Sequence, residues 1–237
     1  MLQLRGVQVR YGRRVACRDI TLRLGSGVHA LIGPNGAGKS SLLSVLATLR
    51  EPASGEVILD QVAESAERRR KTGFLPQENL PEKSSFEVAD FLAYMAWLRC
   101  VPPAERLDEV ARVLAAGRLT NLASEQIRHL SGGQRRRVGI AAAMVGKPRL
   151  LLLDEPSSGL DIAQRALLTR VIQESARDSV VVVSTHIVED ILDSADTVTV
   201  ISSGEVLFHG EDFAPRDDLA AFVQRYLGLV GESGVVR

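Results

Sequence analysis

The feature that most constrains the fold is a glycine-rich loop at residues 33–40, with the sequence GPNGAGKS. It follows the apolar stretch 28–32, which predicts a buried strand, and it precedes residues 40–49, which predict a helix. Glycines let such a loop curl so that successive backbone N–H groups point at one anion, and a helix N-terminus favours negative charge at the same place. A strand, a loop and a helix in this order predict an α/β core that binds phosphate groups.

The side chains of this loop indicate that the bound group is a nucleoside triphosphate. The ammonium of Lys39 is expected to reach the β- and γ-phosphates, and the hydroxyl of Ser40 is a ligand for Mg²⁺. The alternative is that the loop is only a tight connection between strand and helix and binds nothing. The fixed spacing of its residues and the flanking strand disfavour this alternative. The expected phosphate-binding residues are Gly33, Pro34, Asn35, Gly36, Ala37, Gly38, Lys39, Ser40 and Ser41.

A second apolar stretch ends in two acids. Four leucines at residues 150–153 precede Asp154 and Glu155, and such a run is typical of a central strand that is buried on both faces. Two acids at a helix N-terminus, with Pro156 starting a turn, are the alternative. Because the chain also carries a phosphate loop, we expect this strand to end at the nucleotide.

Five motifs in one order resemble those of the ATP-binding subunit of ABC (ATP-binding cassette) transporters, and the resemblance extends from Tyr11 to about Gly210. After the loop come Gln77, the segment LSGGQ at residues 130–134, the strand with its two acids, and His186. The resemblance implies that the chain binds ATP and Mg²⁺ and hydrolyses the ATP.

The resemblance also implies a role for each of these side chains. Asp154 holds Mg²⁺ through its water shell, and Glu155 is the general base that orients or deprotonates the attacking water. His186 contacts the γ-phosphate and couples it to Glu155, while Gln77 reports Mg²⁺ and the γ-phosphate to a membrane subunit. A lone structural histidine and a solvent-facing glutamine are the alternatives. The expected catalytic residues are Glu155, His186 and Lys39, and the expected metal-site residues are Ser40, Gln77 and Asp154.

Two further matches imply that the nucleotide lies between two subunits, and a third concerns its base. In the family the LSGGQ segment, here Ser131, Gly132, Gly133 and Gln134, meets the γ-phosphate of the ATP held by the opposite subunit. The loop that contains Asp161 resembles one that runs along the same interface, although Ile162 stands where many relatives have proline. Tyr11 stands where the family places an aromatic ring that stacks on adenine. A helix N-cap at Ser131 and a core position for Tyr11 are the alternatives, but a simple cap leaves the paired glycines unexplained.

Together the patterns predict an α/β fold with a P-loop NTPase core, an N-terminal antiparallel β layer and an inserted α-helical subdomain. Alternating apolar residues before residue 25 predict the β layer. Helical spacing over residues 84–116 predicts the insertion, and residues 84–87 have the form of a capping box. A helix around residues 164–176 is expected between strands at Leu150–Asp154 and Val180–Ser184. We expect a single domain over 1–237, with a core at 1–77 and 146–210, a helical subdomain at 78–145, and a tail at 211–237 with a short helix at 217–227.

Aromatic residues are concentrated at the start of the helical insertion. This segment holds half of the ten aromatic side chains in the sequence, namely Phe74, Phe86, Phe91, Tyr94 and Trp97. Some are expected to form the core of the insertion, and the others suit a groove that receives a helix from a partner. The basic runs 68–71 and 135–137 are most simply interpreted as solvated faces, and we assign them no catalytic or binding role.

Composition excludes several classes of protein. Lys and Arg number 29, as do Asp and Glu, so no excess of positive charge indicates a nucleic-acid partner. Cys17 and Cys100 show no metal-ligand spacing and are too few for a disulfide scaffold, which favours a reduced compartment. No apolar stretch approaches the about 20 residues that span a bilayer, and the N-terminus lacks a signal-peptide core. We expect a cytoplasmic protein that is peripheral to the inner face of the cell membrane.

The expected function is an ATP-hydrolysing subunit that powers a membrane transporter through ATP-driven closure of a dimer. Its partners are a second cassette, identical or related, and a separate transmembrane permease. The overall style of the sequence resembles that of the ATPases of bacterial multidrug and antibiotic exporters, although importers share the same motifs. An ABC ATPase without a transporter is the competing function, in DNA repair, on the ribosome or in iron–sulfur assembly. The short spacing between Gln77 and Ser131 leaves no room for long coiled coils, and the intact motifs oppose a non-hydrolysing regulatory cassette.

Overall fold

The strand that leads into the glycine-rich loop lies inside a six-stranded sheet. The computed structural model describes residues 1–78, 80, 84–186, 194–213 and 218–234. Its strands are β1 (Leu2–Tyr11), β2 (Arg14–Leu24), β3 (Gly27–Ile32), β4 (Ser54–Leu59), β5 (Thr72–Leu75), β6 (Leu150–Asp154), β7 (Val180–Ser184), β8 (Thr197–Ser202) and β9 (Glu205–Gly210). Its helices are α1 (Lys39–Leu46), α2 (Ser65–Lys71), α3 (Val88–Leu98), α4 (Arg106–Ala116), α5 (Gly132–Met144), α6 (Ile162–Ala176) and α7 (Leu219–Gly234).

The large sheet has the strand order β5-β6-β7-β3-β8-β9, and only β9 runs antiparallel to its neighbour. Every residue of β3, β6 and β7 is buried, as expected for parallel strands that are covered on both faces. The strands predicted from the apolar runs are therefore confirmed. Since β5, β6, β7 and β3 are parallel neighbours, their C-terminal ends meet at one edge of the sheet.

The N-terminal layer is a second sheet, with the order β2-β1-β4 and antiparallel pairing throughout. Leu2 pairs with Leu24 on one side and with Leu59 on the other. The inward-facing residues of β1, which include Leu4 and Val9, are fully buried or nearly so. This arrangement confirms the antiparallel layer that the alternating apolar pattern predicts.

Strand β6 divides its leucines between two hydrophobic cores. Leu151 and Leu153 belong to the core that also contains buried residues of α3, α4 and α5. Leu150 and Leu152 belong to the core shared with α1 and the N-terminal sheet. Because side chains alternate along a strand, Asp154 follows Leu150 and Leu152 on the face toward α1.

The start of the helical insertion differs from the prediction. Helix α3 begins at Val88 rather than near residue 84. The carbonyls of Ser84 and Phe86 accept hydrogen bonds of 3.0 Å from the backbone N–H groups of Arg128 and Ile127. Because these carbonyls bond to a neighbouring segment, residues 84–87 are not helical. The capping box predicted there is wrong.

The helical pattern over residues 84–116 corresponds to two helices, α3 and α4. Cys100 adopts a left-handed backbone with φ of 57°, and two prolines follow at residues 102 and 103 before α4 begins at Arg106. Proline cannot continue a helix, because it lacks an N–H donor and its ring clashes with the preceding turn. Hydropathy spacing alone does not detect such a break.

The boundaries of two other helices also differ from the sequence-based expectations. Helix α1 ends at Leu46 rather than at residue 49, and Thr48 has a left-handed φ of 58°. The C-terminal helix α7 extends to Gly234 rather than to 227. Its expected first residue, Asp217, lies outside the described residues. No helix within the described ranges combines the length and the apolar composition that crossing a membrane requires.

His29 on β3 makes the stability of the fold depend on pH. Its ring is buried, with Nδ1 2.8 Å from the Thr197 hydroxyl and Nε2 2.9 Å from the carbonyl of Gly25. Burial lowers the pKa of this imidazole below its usual 6.5. The unfolded chain therefore takes up a proton more readily than the folded chain, and the free energy of unfolding falls as the pH drops below about 6.5.

Replacing His29 by Gln is expected to make this acid loss of stability shallower. The measurement is the thermal unfolding midpoint between about pH 8 and about pH 5, a range that spans the titration of histidine. Replacing the exposed His129 by Gln is the matched control, and its curve should follow that of the wild-type protein. Identical slopes for the wild-type protein and the His29 variant would contradict the prediction.

Candidate functional site

The glycine-rich loop is enclosed by the backbones of two strands. A Cβ atom at Gly33 would overlap the carbonyl oxygen of Ile201 on β8, and one at Gly38 would overlap the carbonyl oxygen of Ala16 on β2. Gly38 also has a φ of 109°, which side-chain-bearing residues rarely adopt. The loop therefore needs glycine at both positions for steric reasons, independently of any ligand.

Lys39, the first residue of α1, turns back into the curl of the loop. Its ammonium donates to the carbonyls of Gly33 at 2.8 Å and Pro34 at 3.2 Å, and the side chain is largely buried. Burial lowers its pKa, while the carboxylates of Glu155 and Asp154 act in the opposite direction. The structure thus places a buried cation between the loop and the two acids that follow β6.

A cavity of about 610 Å³ opens beside this loop. Its volume is in the usual range for small-molecule sites. It brings together the ring predicted to stack on adenine, most of the loop, the predicted sensor glutamine and the predicted base. Arg14 and Ala16 of β2 also line it, and neither carries a sequence signal that predicts it. The residues predicted for the site that line the cavity are Tyr11, Asn35, Gly36, Ala37, Gly38, Lys39, Ser40, Ser41, Gln77 and Glu155.

Tyr11 at the end of β1 is a surface residue. The residue is 44% exposed, which is incompatible with the alternative of a core tyrosine. The guanidinium carbon of Arg50 lies 4.1 Å from the ring centroid, so one face carries a cation–π contact. The pKa of the Tyr11 phenol lies below its usual value, mainly because the phenol forms a hydrogen bond with the Ser41 side chain.

Asp154, at the end of β6, presents a buried oxygen that suits a metal. The residue is 3% exposed, and its Oδ1 atom has no hydrogen-bond partner within the described part of the chain. A buried carboxylate oxygen without a partner is costly unless a cation satisfies it. Mg²⁺ prefers oxygen ligands and binds through a few carboxylates together with phosphate oxygens and water. Asp154 and the hydroxyl of Ser40 at the start of α1 therefore fit a magnesium ion on bound phosphate.

Glu155 and His186, which are 31 residues apart in the chain, meet at the ends of β6 and β7. The Nδ1 atom of His186 lies 2.7 Å from Oε2 of Glu155. The Glu155 side chain is 9% exposed and the His186 side chain 60%, so this histidine is not packed into a core. The N–H of Glu155 donates to the carbonyl of Ser184 at 2.9 Å. The two predicted catalytic groups are therefore in direct contact.

Glu155 has a left-handed backbone, with a φ of 50°. A non-glycine residue in this region costs on the order of 1–3 kcal/mol and is typical of functional sites. The same residue lines the cavity.

The LSGGQ segment does not reach the cavity of its own chain. Ser131 caps α5: its Oγ accepts from the N–H of Gln134 at 3.3 Å, and Oε1 of Gln134 accepts from the N–H of Ser131 at 2.7 Å. The N-cap interpretation is thus correct within a single chain. Ser131 and Gly132 are nevertheless exposed, and nothing lies within 4 Å of a Cβ built at Gly132.

Asp161 caps α6 in the same way and lies outside the cavity. Its Oδ1 accepts from the N–H of Gln164 at 2.8 Å. The Gln164 side chain also touches the LSGGQ segment, because a Cβ built at Gly133 would meet its Oε1 atom at 2.5 Å. These two predicted interface segments are therefore neighbours on one exposed surface.

The interpretation of the two basic runs as solvated faces is wrong for one residue in each. Arg68 on α2 is 3% exposed and Arg136 on α5 is 2% exposed. Successive residues on a helix are about 100° apart, so three or four in a row include one that faces inward. A charge run therefore does not identify which of its members is buried.

Arg136 makes the most extensive contacts of these basic residues. Its guanidinium donates to the carbonyls of Pro76, Gln77, Asp154, Glu155 and Pro156. Sequence reasoning missed this residue, and no pattern in the chain distinguishes it from its neighbours.

Known proteins resemble the chain in sequence. A family model described as ABC transporter matches residues 17–158. Nod factor export ATP-binding protein I of Cupriavidus pinatubonensis is 34% identical over 217 residues, which is 89% of this chain and 66% of that protein. A phosphonates import ATP-binding protein of Haloarcula marismortui is 36% identical over 228 residues, 88% of this chain and 82% of that protein. A cholesterol transporter of Mus musculus matches the full chain at 27% identity, but this chain spans 15% of that relative's length.

Solved structures share the fold. The ATP-binding subunit of an ABC transporter has a TM-score of 0.82 at 24% identity, covering 98% of this chain and 95% of that one. A dimeric ATP-binding cassette in a post-hydrolysis state, bound to ADP and Pi, has a TM-score of 0.78 at 24% identity, covering 89% and 98%. At this level of identity the likeness concerns the fold alone.

Proposed function

The chain belongs to the ABC transporter family of ATP-hydrolysing cassettes, which use ATP with Mg²⁺, and we propose that it is the subunit that powers a separate membrane transporter. The observation that carries this proposal is the cavity in which the glycine-rich loop, Gln77 and Glu155 meet. Importers and exporters both occur among its relatives. Export is our more specific proposal, because the motif style resembles that of antibiotic exporters.

In the proposed reaction the loop holds the phosphates and Glu155 activates water. The N–H groups at the start of α1 and the ammonium of Lys39 bind the triphosphate, while Asp154 and Ser40 hold the magnesium ion. Bound Mg²⁺ supplies neutralisation of the charge that develops on the transferred phosphoryl group. Glu155 orients the water and accepts its proton, and His186, at 2.7 Å, fixes the carboxylate in place.

We further propose that two copies of the cassette share each ATP. The exposed LSGGQ segment and its neighbour, the Asp161 loop, lie outside the cavity of their own chain, which supports a role toward a second cassette. The dimeric cassette among the structural neighbours has the same fold. In this proposal the core at 1–77 and 146–210 binds ATP, the subdomain at 78–145 presents LSGGQ, and residues 211–237 are an accessory tail.

The proposed docking surface for the membrane subunit is the aromatic stack, formed by Phe86, Tyr94 and Trp97. These side chains are 49%, 45% and 56% exposed. Tyr94 stacks on Phe86 at a centroid distance of 6.1 Å and on Trp97 at 5.9 Å. A row of exposed aromatic rings is typical of interface anchors, and it follows Gln77 in the chain. Phe74 and Phe91 are half-buried and contribute to the cores instead.

Replacing Trp97 by Ala is expected to release the protein from membranes that contain the permease. Loss of a hot-spot aromatic typically weakens an interface by about 2 kcal/mol or more. The measurement is the fraction of the chain that co-purifies with membranes, together with ATP binding, which should be unchanged because the stack lies outside the cavity.

The matched control is Leu107→Ala, which removes another exposed apolar side chain, 84% exposed on α4 and outside the stack. This variant should stay at the membrane. A wild-type chain that fractionates with ribosomes or DNA when every candidate permease is expressed would favour the competing non-transport function.

A further inference from the structure

Arg136 joins three segments that meet at the nucleotide site. It lies on α5, and its guanidinium is buried between the ends of β5 and β6. Nη2 donates to two carbonyls at the end of β6, Nη1 to two beyond β5, and Nε to one after Glu155. The acceptors are Asp154 at 2.6 Å, Glu155 at 2.7 Å, Pro76 at 2.7 Å, Gln77 at 3.2 Å and Pro156 at 3.3 Å.

The choice of acceptors connects this arginine with the chemistry of the site. Every acceptor is a backbone carbonyl of Gln77, Asp154 or Glu155, or of a residue directly beside them. A guanidinium offers five N–H donors in one rigid plane, so it holds several carbonyls in a defined mutual arrangement. Burial of this charge is costly unless its hydrogen bonds are made, and here the bonds are made to the backbone of the site.

The backbone of Glu155 needs such support. Its left-handed conformation is strained, and strained residues persist only where their surroundings hold them. The peptide on its N-terminal side is fixed by the bond from its N–H to the carbonyl of Ser184. The carbonyl on its C-terminal side is fixed by Nη2 of Arg136. The N–H of Ser158 donates to the same carbonyl at 3.2 Å, so the guanidinium and this N–H together hold the C-terminal side of the Glu155 backbone, while His186 contacts the carboxylate.

We propose that Arg136 is a positioning residue for ATP hydrolysis, which holds the backbones of Glu155 and Gln77 in one fixed relation. This inference rests on the proposed ATPase function and assigns a new residue to it. Because Arg136 and Ser131 lie on the same helix, movement of the LSGGQ segment is transmitted through one guanidinium to Glu155 and Gln77.

The test compares Arg136→Gln and Arg136→Lys with the wild-type protein in steady-state ATP hydrolysis. Misplacing a catalytic group by about 1 Å costs roughly 10²-fold in rate, so kcat should fall by about this factor in the Gln variant. KM for ATP and the affinity for a fluorescent ATP analogue should change little, because the loop and Lys39 are untouched. Lys retains the charge but not the planar array of donors, so its kcat should lie between the other two.

The matched control is Arg137→Gln on the same helix. Arg137 also donates to two backbone carbonyls, those of Gly117 and Arg118, but neither is part of the cavity. Its kcat should remain at the wild-type value. A purely structural role for Arg136 predicts lower thermal stability with unchanged kcat per folded molecule, and that result overturns the proposal.

Three further outcomes are decisive. If Arg136→Gln does not fold, the Lys variant decides, since a lowered kcat at unchanged nucleotide affinity supports the proposal and a wild-type kcat overturns it. A wild-type chain without any ATPase activity contradicts the proposed function and this inference with it. Wild-type activity together with unchanged kcat in the folded variants overturns the inference alone.

Discussion

Replacing Glu155 by Gln is expected to leave ATP binding intact and to lower turnover by about 10²–10⁴-fold, the usual contribution of a positioned general base. The amide has the size of the carboxylate and fits the same largely buried place beside His186, but it does not accept the proton of the attacking water. ATP then persists in the site, so the variant should accumulate as an ATP-bound dimer. The measurements are the ATPase rate with Mg²⁺ and the molecular mass in solution with ATP.

Glu205→Gln is the matched control for this experiment. Glu205 is an exposed acid at the start of β9 that pairs with Arg18, and it lies outside the cavity. Its replacement should leave turnover at the wild-type level. Wild-type turnover in Glu155→Gln as well would remove Glu155 from the role of base.

Mixing two inactive variants is expected to restore ATP hydrolysis. Lys39→Ala removes the buried ammonium from the loop, and Ser131→Arg places a bulky cation at the exposed start of α5. In homodimers each change spoils both sites. If Lys39 and Ser131 act on one ATP from different subunits, a mixed dimer carries both defects at one site and none at the other. The ATPase rates of the separate and the mixed variants decide between these arrangements.

A second mixture provides the negative control. Lys39 and Glu155 line the same cavity of one chain, so a mixed dimer of Lys39→Ala with Glu155→Gln has one defect in each site and should stay inactive. Recovery in this mixture, or no recovery in the first despite demonstrated subunit exchange, would contradict a site that is shared through the LSGGQ segment.

Much of the fold could be predicted from local sequence patterns, because its central strands are unusually uniform. Four leucines or four valines in a row suit only a strand that is covered on both faces, and β6 and β7 lie where these runs predict them. The loop at 33–40 was equally predictable, because its glycine spacing and the apolar stretch before it lie in one short segment of the sequence. Local chemistry determines both features.

The phase of helix α3 illustrates what spacing does not determine. The sequence indicates an apolar stripe of Phe86, Ala89, Phe91, Leu92, Met95 and Leu98. In the structure Leu92 is fully buried and Ala89, Phe91 and Met95 pack against the core, but Phe86 and Leu98 are exposed, and the fully buried face is Val88, Leu92 and Ala96. The two stripes share Leu92, and both are apolar and have helical spacing. Which one is buried depends on the partners that α4 and α5 provide, and this information is distributed over distant parts of the chain.

Site residues could be predicted from the sequence only where they belong to a recognisable motif. Glu155 and His186 were identified through a resemblance, and the structure supplies the contact between them. Arg136 has no such marker, because its role depends on carbonyl groups, which every residue carries. Backbone acceptors are invisible in a sequence, so a side chain that acts through them is found only when the fold is known.

At Glu155, the residue that would be best for stability differs from the residue that the proposed chemistry requires, because the backbone is left-handed there. Glycine or asparagine would occupy this conformation with less strain than glutamate does. Engineering that selects only for thermal stability would therefore favour replacing Glu155, and it would remove the carboxylate that we propose as the general base.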